Sequence, residues 1–404
     1  MKVAIIGAGA SGVLAALRIK VNNPNIDVHL FEKNKEILKK VLSTGNGRCN
    51  LGNINIDADN FSNKNLILNM FDLGYKDESL KFLKELGIFY YHDFMGRVYP
   101  KSNQASSVVE LLTKKIFYYG INVILNKQIM KITKIDNKFL VDNEEYDYVI
   151  LSTGSNAQIS NEAINLSLIS SLKHTNTLLT PALVGFKVNE KIKNLAGVKA
   201  LCNVKYNNHS SSGEMIFKED GISGICVMDL SLFYNPLVND IYFDFIPEYS
   251  CDELLMNIKN RLKCDDKLHL HNVFVSAVNK KLLNHINTTF KNELVSSLNE
   301  NELLGYIKKF KEFRLTIYDT YSFMQAQIVN GGVNLDEVSM FKSKKIKNLY
   351  LTGEVLDEGG ICGGNNLWFA FTSGIIVADR ICEVINYEGW FTYSLILFWW
   401  NIWC

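Results

Sequence analysis

Apolar residues run unbroken through "KVAIIG" at the amino terminus, a pattern suited to a strand buried on both faces of a sheet. A Gly-rich turn follows, and then "ASGVLAALRIK" sets Val13, Leu14, Leu17 and Ile19 among alanines, the stripe of a helix. "DVHLFEK" predicts a second strand, ending at Glu32. Residues 41–53, "VLSTGNGRCNLGN", have the Gly, Asn and Thr content of a loop. Helical spacing returns in "ESLKFLKELGI" and again in "ASSVVELLTKKIFYYG", with the polar stretch "YYHDFMGRVYPKSNQ" between them. Strands are predicted at 121–126, 128–135 and 138–141. The apolar "EYDYVILSTGSNA" then runs straight into Thr153-Gly154.

The texture changes near residue 183. "ALVGFKV", "VKALCNVKY", "GEMIFKEDG" and "DIYFDFIP" read as short strands, followed by helical stretches around 252–263, 273–287 and 300–312. "RLTIYDT" and "FMQAQIVNGGV" lead back to a buried strand in "KNLYLTGEVLD" and a last helix. The predicted layout is an α/β domain interrupted by an insert of sheet plus helices.

Composition narrows the function classes. The 404 residues carry 43 basic against 42 acidic side chains, a net charge of +1. That balance offers no general field for a polyanion, so no nucleic-acid partner is expected. Eight cysteines are scattered without a CxxC pair, which fits a reduced, cytoplasmic setting. The chain begins on a core strand, so no signal peptide is expected, and no stretch reads as a transmembrane segment. The tail "GWFTYSLILFWWNIWC" (389–404) is atypically aromatic. It reads as a cap or interface segment, a membrane-surface anchor or an accident of the reading frame, and no chemistry is assigned to it.

The chemistry starts at "GAGASG", residues 7–12. This G-x-G-x-x-G follows a strand, opens a helix and is answered by an acid, Glu32, at the end of the next strand. That is the full context of a dinucleotide fingerprint. Gly7 permits the turn, Gly9 lets backbone approach a diphosphate, and Gly12 lets helix close on strand, with Ala8, Ala10 and Ser11 between them. The diphosphate would rest on the helix N-terminus. Glu32, with Lys33 beside it, would accept from a ribose diol and repel a ribose phosphate.

A second Gly-rich loop, Gly45, Asn46, Gly47, Arg48, Cys49 and Asn50, can fold over the same ligand, with Arg48 reaching phosphate. Thr153-Gly154 and Gly353-Glu354 bring two further strand ends to the same edge. Glu354 can accept from the ribityl hydroxyls that FAD has and NAD lacks. The start of the last helix, Gly363, Gly364, Asn365, Asn366 and Leu367, can turn N–H groups toward the N1/O2 edge of a flavin.

In that order, "GAGASG…FEK", "TGNGRCN", "GRVYP", "TPALVGF" and "TGEVLDEGGICGGNNL" resemble the BaiN/YhiN-type flavoproteins, described as NAD(P)/FAD-dependent or aminoacetone-oxidase-like oxidoreductases. The resemblance covers roughly residues 1–385. It implies a Rossmann-like FAD-binding domain split by an inserted β-barrel-like domain carrying a helical subdomain. The expected division is 1–186 and 326–387 for the FAD domain, 187–325 for the insert (helical part about 251–313), and 388–404 for the tail. It also implies FAD contacts from the Gly-rich loops and, through its backbone, from Ile129 against adenine. The last helix departs from the pattern, with Asn365 in place of the usual aromatic, and Trp368 is a further difference.

Other candidates carry less. Cys49 and Cys362 form either a redox pair or small apolar packing. His92, Arg97, Tyr99 and Lys101 are read as a polar surface loop, with a substrate-lining role as the alternative. Asp357 and Glu358 are read as helix-start acids favoured by the dipole, with acid/base chemistry as the alternative. The histidines show no metal-ligand spacing, and the catalytic residues are not assigned.

The function expected is an FAD-dependent oxidoreductase that passes hydride between NADH, NADPH or a substrate and a small organic acceptor or oxygen. Its alternatives are a flavin-dependent RNA modification enzyme and a non-catalytic FAD-binding protein. The nicotinamide would dock transiently, because no second fingerprint is found. Substrate and oligomeric state are not readable.

Overall fold

The computed structural model describes the backbone of residues 1–158 and 166–403, and the side chains of 1–158 and 167–386. The aromatic tail at 389–404 lies outside the residues whose side chains are described.

The chain forms two compact units, Met1–Thr180 with Ile328–Cys404, and Pro181–Gln327. The first is built on a seven-stranded sheet. Five of its strands are parallel, in the order Leu349–Leu351, Tyr148–Leu151, Lys2–Ile6, Asp27–Phe31, Asn122–Ile124. A short antiparallel pair, Val338–Ser339 and Lys342–Ser343, finishes one edge. The central strands are buried along nearly their whole length, which is why they read as unbroken apolar runs. Parallel strands place all their carboxyl ends on one edge. Ile6, Phe31, Leu151 and Leu351 therefore deliver Gly7, Glu32, Ser152-Thr153-Gly154 and Thr352-Gly353 side by side, where open α/β sheets bind ligands.

The first helix, Ala10–Asn22, packs along the last, Asn365–Trp403. Gly374 makes that possible: a Cβ there would sit well inside contact of the Ser11 carbonyl. A bidentate ion pair clamps the two helices, Arg18 Nε to Asp379 Oδ1 at 2.6 Å and Nη2 to Oδ2 at 3.0 Å.

The second unit is a closed six-stranded antiparallel barrel. Its strands in neighbour order are Phe186–Val188, Gly221–Ser223, His209–Phe217, Lys199–Tyr206, Asp240–Asp244 and Phe313–Thr320. Helices Cys251–Leu262, Lys280–Asn287 and Glu300–Lys311 lie between its last two strands in sequence and share its apolar core. Two carry full capping boxes, Ser250 with Glu253 and Asn299 with Glu302, a signal plain in the sequence.

Some predicted elements differ. The helix expected over 273–287 forms only from Lys280. Asn279 caps it by accepting from Lys281 N–H at 2.9 Å, and three β-branched valines precede it. The strand expected over 128–135 is limited to Ile132–Ile135, so Ile129 lies in the connection ahead of it rather than on a strand. The supposed loop around His92 is an ordered hairpin, Tyr90–His92 against Arg97–Pro100, with Gly52–Asn53 as a third strand. Asp93 makes its turn, accepting from the Met95 and Arg97 N–H groups and pairing with the Arg97 guanidinium.

Candidate functional site

The first helix begins without a cap of its own. No side chain bonds its first N–H groups, and its first turn holds no acid. The first intrahelical bond runs from Val13 N–H to the Gly9 carbonyl, leaving the N–H groups of Ala10, Ser11 and Gly12 with no intrahelical acceptor. The glycines beside them divide by role. Gly7 has φ +109°, and a Cβ would strike the Ser152 carbonyl. At Gly12 a Cβ would strike the Gly7 carbonyl. At Gly9, Gly47 and Gly154 a Cβ would meet nothing within 4 Å. The first two are glycine for the protein's own packing, whereas the last three border open space.

Glu32 is buried and already employed. Its Oε2 accepts from Ala8 N–H at 3.0 Å, and its Oε1 accepts from the Asn34 N–H and amide at 2.9 and 2.6 Å. The carboxylate thus holds the Gly-rich turn while keeping lone pairs for a diol.

The loop from 38 to 50 walks across this edge. Leu38, at φ +58°, donates its N–H to the Ala8 carbonyl at 2.8 Å. Lys40 Nζ donates to the Ser155 carbonyl at 2.8 Å and lies 3.4 Å from Glu354 Oε2. Glu354 Oε1 accepts weakly from Val329 N–H at 3.3 Å. Asn50, its amide oriented to suit its neighbours, donates to the Gly52 carbonyl at 2.8 Å and the Val98 carbonyl at 3.1 Å. Its oxygen accepts from Gly364 N–H at 3.0 Å. The fingerprint, the second Gly-rich loop and the start of the last helix are thereby gathered on one edge of the first unit. Lys40 belongs to no motif; its only signal is a place as the second of two lysines directly ahead of "VLSTGNGRCN".

At the last helix the reading changes in detail. Gly364 N–H, expected to face a ligand, is already taken by Asn50. The two asparagines fold their side chains back. Asn366 makes a reciprocal pair with the Gly360 backbone at 2.7 and 2.8 Å, and Asn365 donates to the Ile361 carbonyl at 3.0 Å. What remains open is backbone. The first intrahelical bond is Trp368 N–H to the Gly364 carbonyl, so the N–H groups of Asn365, Asn366 and Leu367 have no intrahelical acceptor. Trp368 itself is core, wedged against Phe61 and Phe71 with Nε1 bonded to the Lys76 carbonyl. Gly353 has φ +69° and would strike Ser11 if it carried a side chain.

Asp357 and Glu358 are not in the first turn of the last helix, which starts at Asn365. Both carboxyls are pushed up by burial, Glu358 to about 8. Glu358 Oε1 accepts from Ser62 Oγ and from the N–H groups of Asn63 and Gly359 at 3.0–3.2 Å, while its Oε2 is buried without a partner. The thermodynamic sign follows. Unfolded, this glutamate ionises near its ordinary value of 4.5; folded, it keeps its proton until about 8. Stability therefore falls as pH rises from 4.5 to 8, by about 1.4 kcal/mol for each pH unit at most. Glu358→Gln is expected to remove that slope. Relative to wild type, the variant should gain stability steadily from pH 5 to pH 8, read as the difference in urea midpoints. Parallel midpoints across that range would refute the buried proton.

Cys49 is fully buried at φ +61°, and burial pushes its thiol up to about 11, so it packs rather than reacts.

An uncapped helix N-terminus beside open glycines, with Thr153 Oγ1 buried and unsatisfied at the neighbouring strand end, suits an anionic dinucleotide. Fold and edge together define a Rossmann-type flavoprotein. The chain belongs to the HI0933-like Rossmann-domain family, whose model matches residues 1–380. This is an FAD-binding family of flavin-dependent oxidoreductases. It is 32% identical over 416 residues to the 3-dehydro-bile acid delta(4,6)-reductase of Clostridium scindens, covering 95% of this chain and 99% of that protein. It is 23% identical to the ribosomal RNA dihydrouridine synthase of Haemophilus influenzae, covering 93% and 97% respectively. Among solved structures, a flavocytochrome c3 fumarate reductase in its open conformation matches at 14% identity, with a TM-score of 0.46, over 95% of this chain and 78% of that one. Among the described residues no helix is long and apolar enough to cross a membrane.

Proposed function

We propose that the protein is a reductase that holds FAD along the carboxyl edge of its parallel sheet and acts on a small organic acceptor. The N–H groups of Ala10, Ser11 and Gly12 hold the diphosphate, with Gly9 leaving room for it. Glu32 takes the ribose diol, and the Ile129 backbone flanks adenine. Glu354, steadied by Lys40, accepts from the ribityl hydroxyls. The open N–H groups of Asn365, Asn366 and Leu367 face the ring's N1/O2 edge and favour negative charge there. FAD supplies a hydride acceptor and donor at its N5, loaded by NADH, NADPH or an organic donor and discharged to the acceptor or to oxygen. The polypeptide orients the ring, neutralises charge and excludes water.

The observation that carries this reading is the Asn50 bridge to Gly364, because it joins the second Gly-rich loop to the last helix across the edge that also bears the fingerprint. The purified protein is expected to be yellow, or to become so with FAD, and to bleach anaerobically with one nicotinamide. Protein that stays colourless in excess FAD ends the proposal. Flavin that holds but bleaches with no donor supports a binding protein instead.

A second reading is a flavin-dependent RNA modification enzyme, favoured by the relative named as a ribosomal RNA dihydrouridine synthase. The near-neutral net charge weighs against it. Filter binding of RNA that falls steeply with salt would choose it.

A further inference from the structure

We infer that Arg48 is the substrate's anion-binding residue: stacked on the buried Tyr99 ring, it holds the carboxylate of a small organic acid on its outer edge and is not a ligand of the diphosphate. The inference rests on the FAD reading above for the place of the ring.

Position comes first. The 38–50 loop touches the fingerprint turn through Leu38, the middle of the edge through Lys40, and the start of the last helix through Asn50. Arg48 lies two residues before Asn50, at the end assigned to the ring, and ten residues beyond the contact with the turn. The cation at mid-edge is Lys40.

Charge comes second. Arg48 is exposed, and its guanidinium carbon lies 4.5 Å from the Tyr99 ring centroid. Its polar contacts are long and neutral, Nε to the Gly45 carbonyl at 3.3 Å and Nη2 to the Tyr99 hydroxyl at 3.5 Å. Among the described residues no carboxylate pairs with it, whereas Arg18 of the same unit has two, Glu78 and Asp379, and Arg97 has Asp93. A guanidinium stacked on a phenol keeps one edge of its fork for a planar oxyanion.

The surroundings set the ligand class. Tyr99 pairs across the hairpin with Tyr91, ring centroids 6.1 Å apart, and Lys101 Nζ lies 5.4 Å from the Tyr91 ring. One arginine and one lysine, each resting on an aromatic ring, suit a small, singly charged acid. A polyanion needs several phosphate contacts along a stripe, and Arg48 and Lys101 are two cations.

The test uses purified holoprotein with benzoate and its neutral isostere benzamide, each titrated by calorimetry and by perturbation of the flavin spectrum. Benzoate is expected to bind at least about tenfold more tightly than benzamide. Arg48→Met should weaken benzoate by about 10- to 100-fold, the range for a charge-assisted hydrogen bond, while leaving benzamide and FAD content unchanged. Equal affinities for the two probes in wild type would overturn the inference. So would a folded Arg48→Met protein that has lost its FAD, which would return the arginine to the diphosphate. Salt-sensitive binding of a single-stranded RNA that Arg48→Met abolishes, with benzoate inert, would assign it to an RNA phosphate. Wild type that takes up no FAD defeats the parent reading instead, and the calorimetric comparison still decides Arg48.

Discussion

Gly9→Ala is expected to fold as stably as the wild type and to retain about a tenth or less of its FAD, whereas Gly12→Ala should lose both stability and FAD. The difference lies in what each new methyl group meets. At Gly9 there is no atom within 4 Å and φ is −78°, a value any residue adopts, so the polypeptide has no reason to object. The space there is free for a diphosphate. A methyl group in it separates the anion from the helix N–H groups, and each lost charge-assisted bond is worth about 1.5–3 kcal/mol, a factor of ten or more. At Gly12 a Cβ would collide with the Gly7 carbonyl and lie 2.5 Å from Ser152 Oγ, which itself bonds the Gly7 carbonyl at 2.7 Å. Helix and turn must separate, at about 1–3 kcal/mol for overpacking. Urea midpoints of the apoproteins and the flavin-to-protein absorbance ratio after gel filtration separate the two effects. A Gly9→Ala protein with full FAD content would show that the diphosphate is not seated on this turn.

The second large effect is expected at the helix clamp. Asp379→Ala should cost about 3 kcal/mol of stability, near the lower end of the range for removing one partner of a buried ion pair. Asp379 accepts the Arg18 fork, the Tyr75 hydroxyl at 3.1 Å and the Asn22 amide at 2.7 Å, and its side chain is 12% exposed. The cost stops short of the upper end because Glu78 Oε1 still faces Arg18 at 3.0 Å. The urea midpoint should shift without a change in its slope. A shift equivalent to less than about 1 kcal/mol, the level of an exposed pair, would show that the clamp is wet.

Those two cases mark what could be read in advance. The fingerprint was legible because its parts lie close in sequence, a strand, three glycines, a helix and an acid, each fixed by local backbone geometry. The barrel insert announced itself by a change in periodicity at about 183. Arg18 and Asp379 were invisible: they are 361 positions apart, and a lone Arg on a helix ordinarily reads as solvated. The hairpin at 90–100 reads as a loop in sequence because its strands are only three and four residues long, and its order comes from pairing with Gly52–Asn53 and from the Asp93 turn.

By itself, then, the sequence determined which segments become buried parallel strands and which glycines must turn the chain, because strand burial and positive φ are constraints each residue meets locally. Only the tertiary structure decided which polar groups remain available. It committed Gly364 N–H to Asn50, folded the amides of Asn365 and Asn366 back onto their own loop, buried Glu358 with a proton, and left Arg48 without a carboxylate. A hydrogen-bond donor or a charge can be used once, and which partner claims it depends on groups that the chain brings together from hundreds of residues away.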